Sequence, residues 1–167
     1  MNSKELKTKV LYHFRFKRRY LYCATEAGRF RSDVLVSNKK EIIECEIKTN
    51  KRDLIQDLSK PKHLIYTSPA PAYKPYVPNK FYFCVPEKLV PIALNQTKSW
   101  FTIKYGVLLV YDIPLSNKRK VKYCKIVKRA RLLQSSFNPK LHKQILMRMG
   151  SELIRTRLKE YYVNTRY

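Results

Sequence analysis

The sequence predicts an α/β fold in a single domain. Two short apolar runs separated by a turn, at 33–37 and 41–48, indicate a β-hairpin, and strand-like runs at 80–85 and 105–111 alternate with helical segments. A chain of 167 residues has the size of one domain, and a hydrophobic content of 44% supplies an ordered core. This composition excludes a disordered basic tail.

The first 48 residues are predicted to form a helix followed by strands. Residues 3–16 have mixed helical and extended character and are assigned to a helix that leads into a strand at 20–24. Residues 33–37 are rich in β-branched side chains, and residues 41–48 alternate between apolar and charged side chains. With the turn at 38–40 between them, these two segments predict adjacent antiparallel strands.

The middle of the chain is predicted to contain a helix, a loop and a buried strand. Asn50 is a candidate N-cap for a helix that reaches about residue 58, and Pro61 is predicted to end it. Residues 67–79 hold four of the nine prolines and predict an extended surface loop. The apolar run at 80–85 then predicts a central strand.

The last part of the chain is predicted to contain two strands between helices. Pro86 opens a short helix to about residue 94, 105–111 is an apolar strand, and 121–128 alternates as an edge strand does. Asn138 and Pro139 give the cap and first turn of a final helix that extends to about residue 162. Gly150 is predicted to kink or interrupt this helix.

The net charge of +24 points to a polyanionic partner, with nucleic acid first among the candidates. No stretch reaches the roughly 18–20 apolar residues that span a bilayer, and no long basic amphipathic helix with a large apolar face is present. The segment 1–16 lacks the apolar run of a signal peptide. We therefore expect a protein that does not bind membranes, is not secreted, and acts in the cytoplasm or nucleoid of a cell or phage host.

The four cysteines predict neither a zinc site nor a disulfide framework. They are far apart in the sequence, none belongs to a C-x-x-C pair, and the chain contains only three histidines. Reduced and mostly buried thiols are expected.

The acidic residues are concentrated in one region. Seven of the twelve lie between residues 26 and 57, and none lies between 113 and 151. Clustered carboxylates repel a phosphate ligand unless a cation stands between them, so this region needs an explanation other than phosphate binding.

Residues 41–48 place ionisable side chains on one face of a strand. Because strand side chains alternate, Glu44, Glu46 and Lys48 project together, and the hairpin brings Asp33 near Glu46. Two close carboxylates are stabilised by a divalent cation, and their hard oxygens suit Mg²⁺, with Mn²⁺ as a substitute. Lys48 can then orient a water molecule and offset charge that develops on a phosphate.

The arrangement of Asp33 followed by Glu46-Ile47-Lys48 resembles the PD-(D/E)XK nuclease superfamily, and residues 20–112 look like its small bacterial DNA-repair members. Ser32 stands where the family name has proline. The resemblance implies a restriction-endonuclease-like core, a mixed sheet flanked by helices, within 1–137. The basic helix at 138–167 is expected to pack on the same domain. The resemblance also implies that Asp33, Glu46 and the Ile47 carbonyl are metal ligands and that Lys48 is the catalytic lysine.

Four further acids have two interpretations each. Glu26 is either an additional catalytic acid or a solvated turn residue, and Glu44 either binds a second metal or pairs with a lysine or arginine. Asp53 and Asp57, at i, i+4 spacing, indicate a solvated helix face, although an acid-rich helix borders the site in the small repair-like relatives.

Eleven residues are predicted to contact nucleic acid. The stretch 118–131, with eight Lys or Arg in fourteen positions, is either a phosphate-contacting rim or an edge strand protected by lysines. His63 has an alternative role as general base, and Tyr73 and Tyr76 either stack on unpaired bases or pack in their loop. The predicted contacts are Arg29, Arg31, Thr49, Lys51, Gln56, Lys60, His63, Lys118, Arg119, Lys120 and Lys122.

The sequence thus predicts a Mg²⁺-dependent endonuclease that hydrolyses DNA phosphodiester bonds, with RNA left open as a substrate. One active site per chain would require a homodimer or two successive nicks to cut both strands. Small size and high basicity suggest a phage, mobile-element or repair enzyme. Two alternatives remain: a non-catalytic DNA- or RNA-binding protein in which Asp33 and Glu46 form salt bridges, and an inactive nuclease fold used for docking.

Overall fold

A computed structural model describes residues 1–67, 70–113 and 122–164, with side chains up to residue 158. The described residues form one six-stranded sheet with helices on both faces. The strands are β1 (Tyr22–Ala27), β2 (Ser32–Ser37), β3 (Ile42–Ile47), β4 (Lys80–Val85), β5 (Gly106–Val110) and β6 (Cys124–Lys128). The helices are α1 (Ser3–Tyr12), α2 (Lys51–Asp57), α3 (Pro61–Thr67), α4 (Val90–Gln96) and α5 (Pro139–Asn164).

The strands follow one another across the sheet in chain order, and the sheet is mixed. β1, β2 and β3 are antiparallel neighbours, β3, β4 and β5 are parallel, and β6 is antiparallel to β5 at the edge. Parallel neighbours need crossover connections, which α2 and α3 supply before β4 and α4 supplies before β5. The predicted α/β class and the predicted hairpin of β2 and β3 are confirmed.

The helices divide into two layers. α1 covers one face of the sheet, where its Leu6 and Val10 pack against Val34, Ile43 and Cys45. α2, α3 and α4 lie on the opposite face over an aromatic core that includes Phe81 and Phe83. α5 lies on that second face too, and its Leu141 and Ile145 pack against Leu35 and Ile42.

The structure corrects two predictions about helix breakers. Pro61 does not only end a helix: it is the first residue of α3, a position that suits its fixed φ and missing N–H. Gly150 does not interrupt α5, which is continuous across it. The apolar spacing of α5 holds Leu141 and Ile145 in the core, but Leu153 is 61% exposed.

The other predicted elements agree with the structure to within a few residues. Asn50 caps α2, since its Oδ1 accepts a hydrogen bond of 2.8 Å from the Asp53 N–H. The first helix is shorter than expected and continues as a π-helical turn over His13–Lys17. Within the described residues, no helix combines the length and apolar composition that crossing a lipid bilayer requires.

Candidate carboxylate–lysine site

The charged face of β3 is buried rather than open. Glu44, Glu46 and Lys48 share that face as predicted, while Ile43 and Cys45 point to the α1 side. Helices α2 and α3 cover the charged face, so the three residues are only 1–5% exposed. Buried charges are stable only when they are paired, so their partners define the site.

Glu46 lies among three lysine side chains. Lys62 Nζ is 2.6 Å from Glu46 Oε2, and Lys48 Nζ and Lys60 Nζ are each 3.1 Å from Oε1. Burial alone would raise the pKa of Glu46, but Lys62 and Lys48 hold it below its usual value. Glu46 is therefore ionised at neutral pH.

Glu44 is held by Lys62 and Tyr66, both from α3. Lys62 Nζ lies 3.1 Å from Glu44 Oε1, and the Tyr66 hydroxyl donates a hydrogen bond of 2.5 Å to Oε2. Burial and the neighbouring Glu44 raise the pKa of Tyr66 well above its usual value, so Tyr66 remains a donor. Of the two interpretations given for Glu44, the structure therefore agrees with the second, an ion pair with a lysine.

Asp57 is a buried residue and not part of a solvated helix face, which corrects the prediction. Its Oδ1 lies 2.7 Å from Lys48 Nζ and 2.5 Å from Lys60 Nζ. Its Oδ2 lies 2.8 Å from His63 Nε2, and His63 Nδ1 lies 2.9 Å from the Tyr105 hydroxyl. Burial opposes the charge on Asp57, yet His63 and the lysines keep its pKa well below the usual value.

His63 is fully buried, and both ring nitrogens are engaged by protein groups. The predicted phosphate contact of His63 is therefore wrong for this conformation, and so is its alternative role as a base that meets substrate. Because ionised Asp57 only accepts hydrogen bonds, His63 Nε2 carries a hydrogen and donates it. His63 thus orients Asp57 rather than reaching a ligand.

Lys48, Lys60 and Lys62 balance the charges of Glu44, Glu46 and Asp57, and we call these six residues the carboxylate–lysine cluster. Burial would lower the pKa of Lys48, but Glu46 and Asp57 raise it above its usual value. Glu44 and Glu46 raise the pKa of Lys62 in the same way. Both lysines are therefore fixed cations at neutral pH, whereas Lys60 has a half-exposed side chain.

Asp33 lies beside this cluster at the start of β2. Its register position is one residue beyond the Val34–Cys45 pair, which places it opposite Glu46, and its Oδ2 accepts a hydrogen bond of 2.8 Å from the Ile47 N–H. Its Oδ1 lies 2.7 Å from Lys7 Nζ. Lys7 also pairs with Glu26, so the structure gathers Glu26 near Asp33 through one ammonium group.

Asp53 forms the outer side of the site. Its carboxylate Oδ1 lies 3.2 Å from Lys48 Nζ, and its side chain is about half exposed. Within the described part of the chain, no group of three or more His, Cys, Asp or Glu side chains is arranged to hold a metal ion. In this conformation lysine ammonium groups supply the positive charge at every carboxylate named above.

Most of the predicted nucleic-acid contacts lie on the surface. Arg29, Arg31, Lys51, Gln56, Lys60 and Lys122 are exposed, and Thr49 is partly buried. Lys118, Arg119 and Lys120 lie outside the described residues.

Sequence reasoning missed Lys7, Lys62, Tyr66 and Tyr105 as members of the site. For α3 a signal exists, because Tyr66 stands four residues after Lys62 and three after His63, the spacings that bring side chains to one helix face. No local signal marks Lys7, whose partner Asp33 is reached only through the packing of α1 on the sheet.

Comparison with known proteins shows similarity in fold alone. No protein-family model matches the chain, and no curated protein matches its sequence. One solved structure, of a protein of unknown function from Silicibacter pomeroyi, is similar over 96% of this chain and 94% of that one, with a TM-score of 0.64 and 16% sequence identity. This similarity supports the α/β architecture of nearly the whole chain.

Proposed function

We propose that this protein is a divalent-cation-dependent endonuclease that hydrolyses DNA phosphodiester bonds. The observation that carries the proposal is the convergence of Asp33, Glu46 and Lys48 at the adjoining ends of β2 and β3, in a chain of net charge +24. The excess of basic residues suits a phosphate backbone as the partner. The gathered acids suit a cation that stands between protein and phosphate.

The donor chemistry of these residues fits a hard divalent cation. Asp33 and Glu46 offer carboxylate oxygens as metal ligands. The hydrogen bond from the Ile47 N–H holds Asp33 beside the Ile47 backbone, whose carbonyl oxygen would be the third ligand. Lys7 is the lysine paired with Asp33, and Lys60 is one of the three lysines at Glu46; their side chains are 20% and 46% exposed. A bound cation would take the place of these two ammonium groups.

The cation would be held by Asp33, Glu46 and the Ile47 carbonyl, and when bound it would lower the pKa of a coordinated water and neutralise charge on the phosphate. Lys48 stays protonated, so it acts as a hydrogen-bond donor and a positive charge and not as a base. Asp57 fixes the Lys48 ammonium at 2.7 Å, and His63 fixes Asp57.

The test is nicking of supercoiled plasmid with Mg²⁺, Mn²⁺ or EDTA. Asp33→Asn and Lys48→Met should each lower the rate by about 10²-fold or more, because each removes a group that stabilises the charge of the reaction. Asp112→Asn, an exposed acid outside the cluster, is the matched control and should cleave normally. Mn²⁺ affinity measured by electron paramagnetic resonance should fall in Asp33→Asn but not in the control. Undiminished nicking by either site variant would overturn the assignment.

One observation favours a second candidate, a nucleic-acid-binding protein without catalysis. The carboxylates of Asp33, Glu44, Glu46 and Asp57 are each already paired with a lysine, as a purely structural ion network requires. This candidate expects oligonucleotide binding that is the same in EDTA and in Mg²⁺, falls steeply with salt, and is accompanied by no cleavage.

A further inference from the structure

A group of cations without acidic partners lies away from the carboxylate–lysine cluster. The Arg29 Cζ atom is 4.8 Å from the centroid of the Tyr76 ring, and Lys140 Nζ is 4.9 Å from the same centroid. Arg29 also lies 5.7 Å from the ring centroid of Tyr73. We call Arg29, Tyr76 and Lys140 the basic–aromatic patch.

The patch is unbalanced in charge, unlike the cluster. Lys7, Lys48, Lys60 and Lys62 all form ion pairs with carboxylates. Among the described residues, no carboxylate lies within ion-pair distance of either cation of the patch, since none of the salt bridges of the structure involves them. Two like charges held against one ring repel each other, and an anion between them removes that repulsion.

The Tyr76 hydroxyl adds a neutral donor to the two cations. Lys140 and then Arg29, lying against this hydroxyl, hold the pKa of Tyr76 below its usual value. Phosphate oxygens accept hydrogen bonds from guanidinium, ammonium and hydroxyl groups alike, and Arg is suited to bind two of them at once. The three groups therefore match a phosphate in both charge and hydrogen bonding.

The patch is fixed in place by the packing of three segments. Asn138, which is buried, donates hydrogen bonds of 3.3 Å to the carbonyls of Lys74 and Val77, while its Oδ1 accepts one of 3.0 Å from the Leu141 N–H. This amide joins the turn that carries Tyr76 to the first turn of α5, which carries Lys140. The backbone segments that carry Tyr76 and Lys140 are therefore held together before any ligand arrives, which reduces the entropy lost on binding.

Arg29 is brought to the same place by the turn between β1 and β2. Gly28 in this turn has a φ of +78°, and a Cβ added there would lie 3.0 Å from Leu35 Cδ1 and 3.3 Å from Leu141 Cδ1. The turn thus folds directly against α5. A groove of 290 Å³ adjoins the patch and runs between Lys74 and Lys140, with Pro75, Ser136 and Phe137 on its walls.

The patch and the carboxylate–lysine cluster lie on the same face of the sheet. Leu35 and Ile42, under α5, are on the face that also carries Glu44 and Glu46 under α3.

We propose that Arg29, Tyr76 and Lys140 bind a backbone phosphate of a nucleic acid strand and anchor that strand on the outer surface of the protein, on the same side of the sheet as the carboxylate–lysine cluster. The inference rests on the proposed function for the identity of the partner. It assigns the patch a role in binding and none in the chemical step.

The test is fluorescence anisotropy with a labelled oligonucleotide, single-stranded and duplex in turn, in EDTA over a range of salt concentrations. Arg29→Gln/Lys140→Gln should lower the affinity at least tenfold and reduce the slope of log affinity against log salt by about 2, one for each lost phosphate contact. Tyr76→Phe should weaken binding by about two- to tenfold with no change in that slope, because it removes a donor without a charge.

Lys88→Gln/Lys98→Gln is the matched control, since it removes two exposed positive charges from the connection between β4 and β5. Equal losses in this control and in the patch variant would overturn the proposal, because they would mean that only net charge matters. Loss of binding to anionic lipid vesicles with unchanged oligonucleotide binding would also overturn it. Because no step needs a metal, failure of the nuclease proposal would appear separately, as absent plasmid nicking by the wild-type protein.

Discussion

Removing the Lys62 ammonium should destabilise the fold far more than removing that of Lys60, although both lysines contact Glu46. Lys62 is 4% exposed, lies 2.6 Å from Glu46 and 3.1 Å from Glu44, and carries its Nζ 5.5 Å from the Phe81 ring centroid. Lys62→Met keeps the apolar stem against Phe81 but leaves two buried carboxylates short of one cation.

The magnitude follows from burial. Breaking a buried ion pair by removing one partner costs about 3–5 kcal/mol of the free energy of unfolding, which for a chain of this size lowers the melting temperature by about 6–20 °C. Lys60→Met removes a cation whose side chain is 46% exposed, and exposed pairs contribute only about 0–1 kcal/mol. Lys60→Met is therefore the matched control, with the same change at the same carboxylate.

The loss in Lys62→Met should also depend on pH. Burial would raise the pKa of Glu46, but Lys62 holds it below 4.5, so in the wild-type protein its stabilising charge is present above pH 4.5 and is lost only as pH falls through the lowered pKa. Without Lys62, Lys48 and Lys60 remain at Glu46 but the pKa of Glu46 moves up toward its usual value, so the variant keeps less of this stabilisation above pH 4.5. The deficit relative to wild type should be largest at pH 7 and shrink toward pH 4.5.

Urea denaturation followed by circular dichroism at pH 7.0 and 4.5 measures both effects. A loss below about 1 kcal/mol in Lys62→Met, an equal loss in Lys60→Met, or a deficit that does not change with pH would refute the assignment of Lys62 as the buried counter-charge of the cluster.

Two further predictions concern parts of the fold outside the cluster. Gly106→Ala should lower the free energy of unfolding by about 1–3 kcal/mol in urea denaturation, because its Cβ would come 2.4 Å from the Tyr82 ring. Gly150→Ala has open space around it in α5 and should raise the free energy of unfolding by about 0.5–1 kcal/mol. Equal effects of the two substitutions would contradict this packing. Burial and then Arg18 lower the pKa of His13 from 6.5 to about 4, so the stability it provides is complete above pH 6.5 and is lost as pH falls toward 4. An NMR titration of His13 with a midpoint near 6.5 would contradict that assignment, and His13→Gln should flatten the decline in urea stability between pH 7 and 5.

Local patterns in the sequence predicted most of the elements. The alternation at 41–48 placed Glu44, Glu46 and Lys48 on one face because strand side chains repeat every two residues wherever the strand lies. Asn50 signalled the start of α2 because capping depends only on the next three residues. α3 was missed because Pro61 both ends and begins helices, and the sequence around it does not distinguish the two.

Burial at the candidate site could not be predicted in the same way. The i, i+4 spacing of Asp53 and Asp57 suggested a solvated face, yet Asp57 is 0% exposed because tertiary packing brings His63 of α3 to its Oδ2 and Lys48 to its Oδ1. The same packing removed His63 from the surface. The pairing of Lys7 with Glu26 spans 19 residues and depends on how α1 crosses the sheet.

The sequence by itself therefore determined the fold class, the hairpin of β2 and β3, and which charged residues share one face, because these depend on short-range periodicity and turn geometry. Only the tertiary structure decided which cations meet which carboxylates, that the charged face is covered, and that Arg29, Tyr76 and Lys140 come together. Ion pairs and patches form between side chains brought close by packing, and packing is set by the whole core rather than by any one segment.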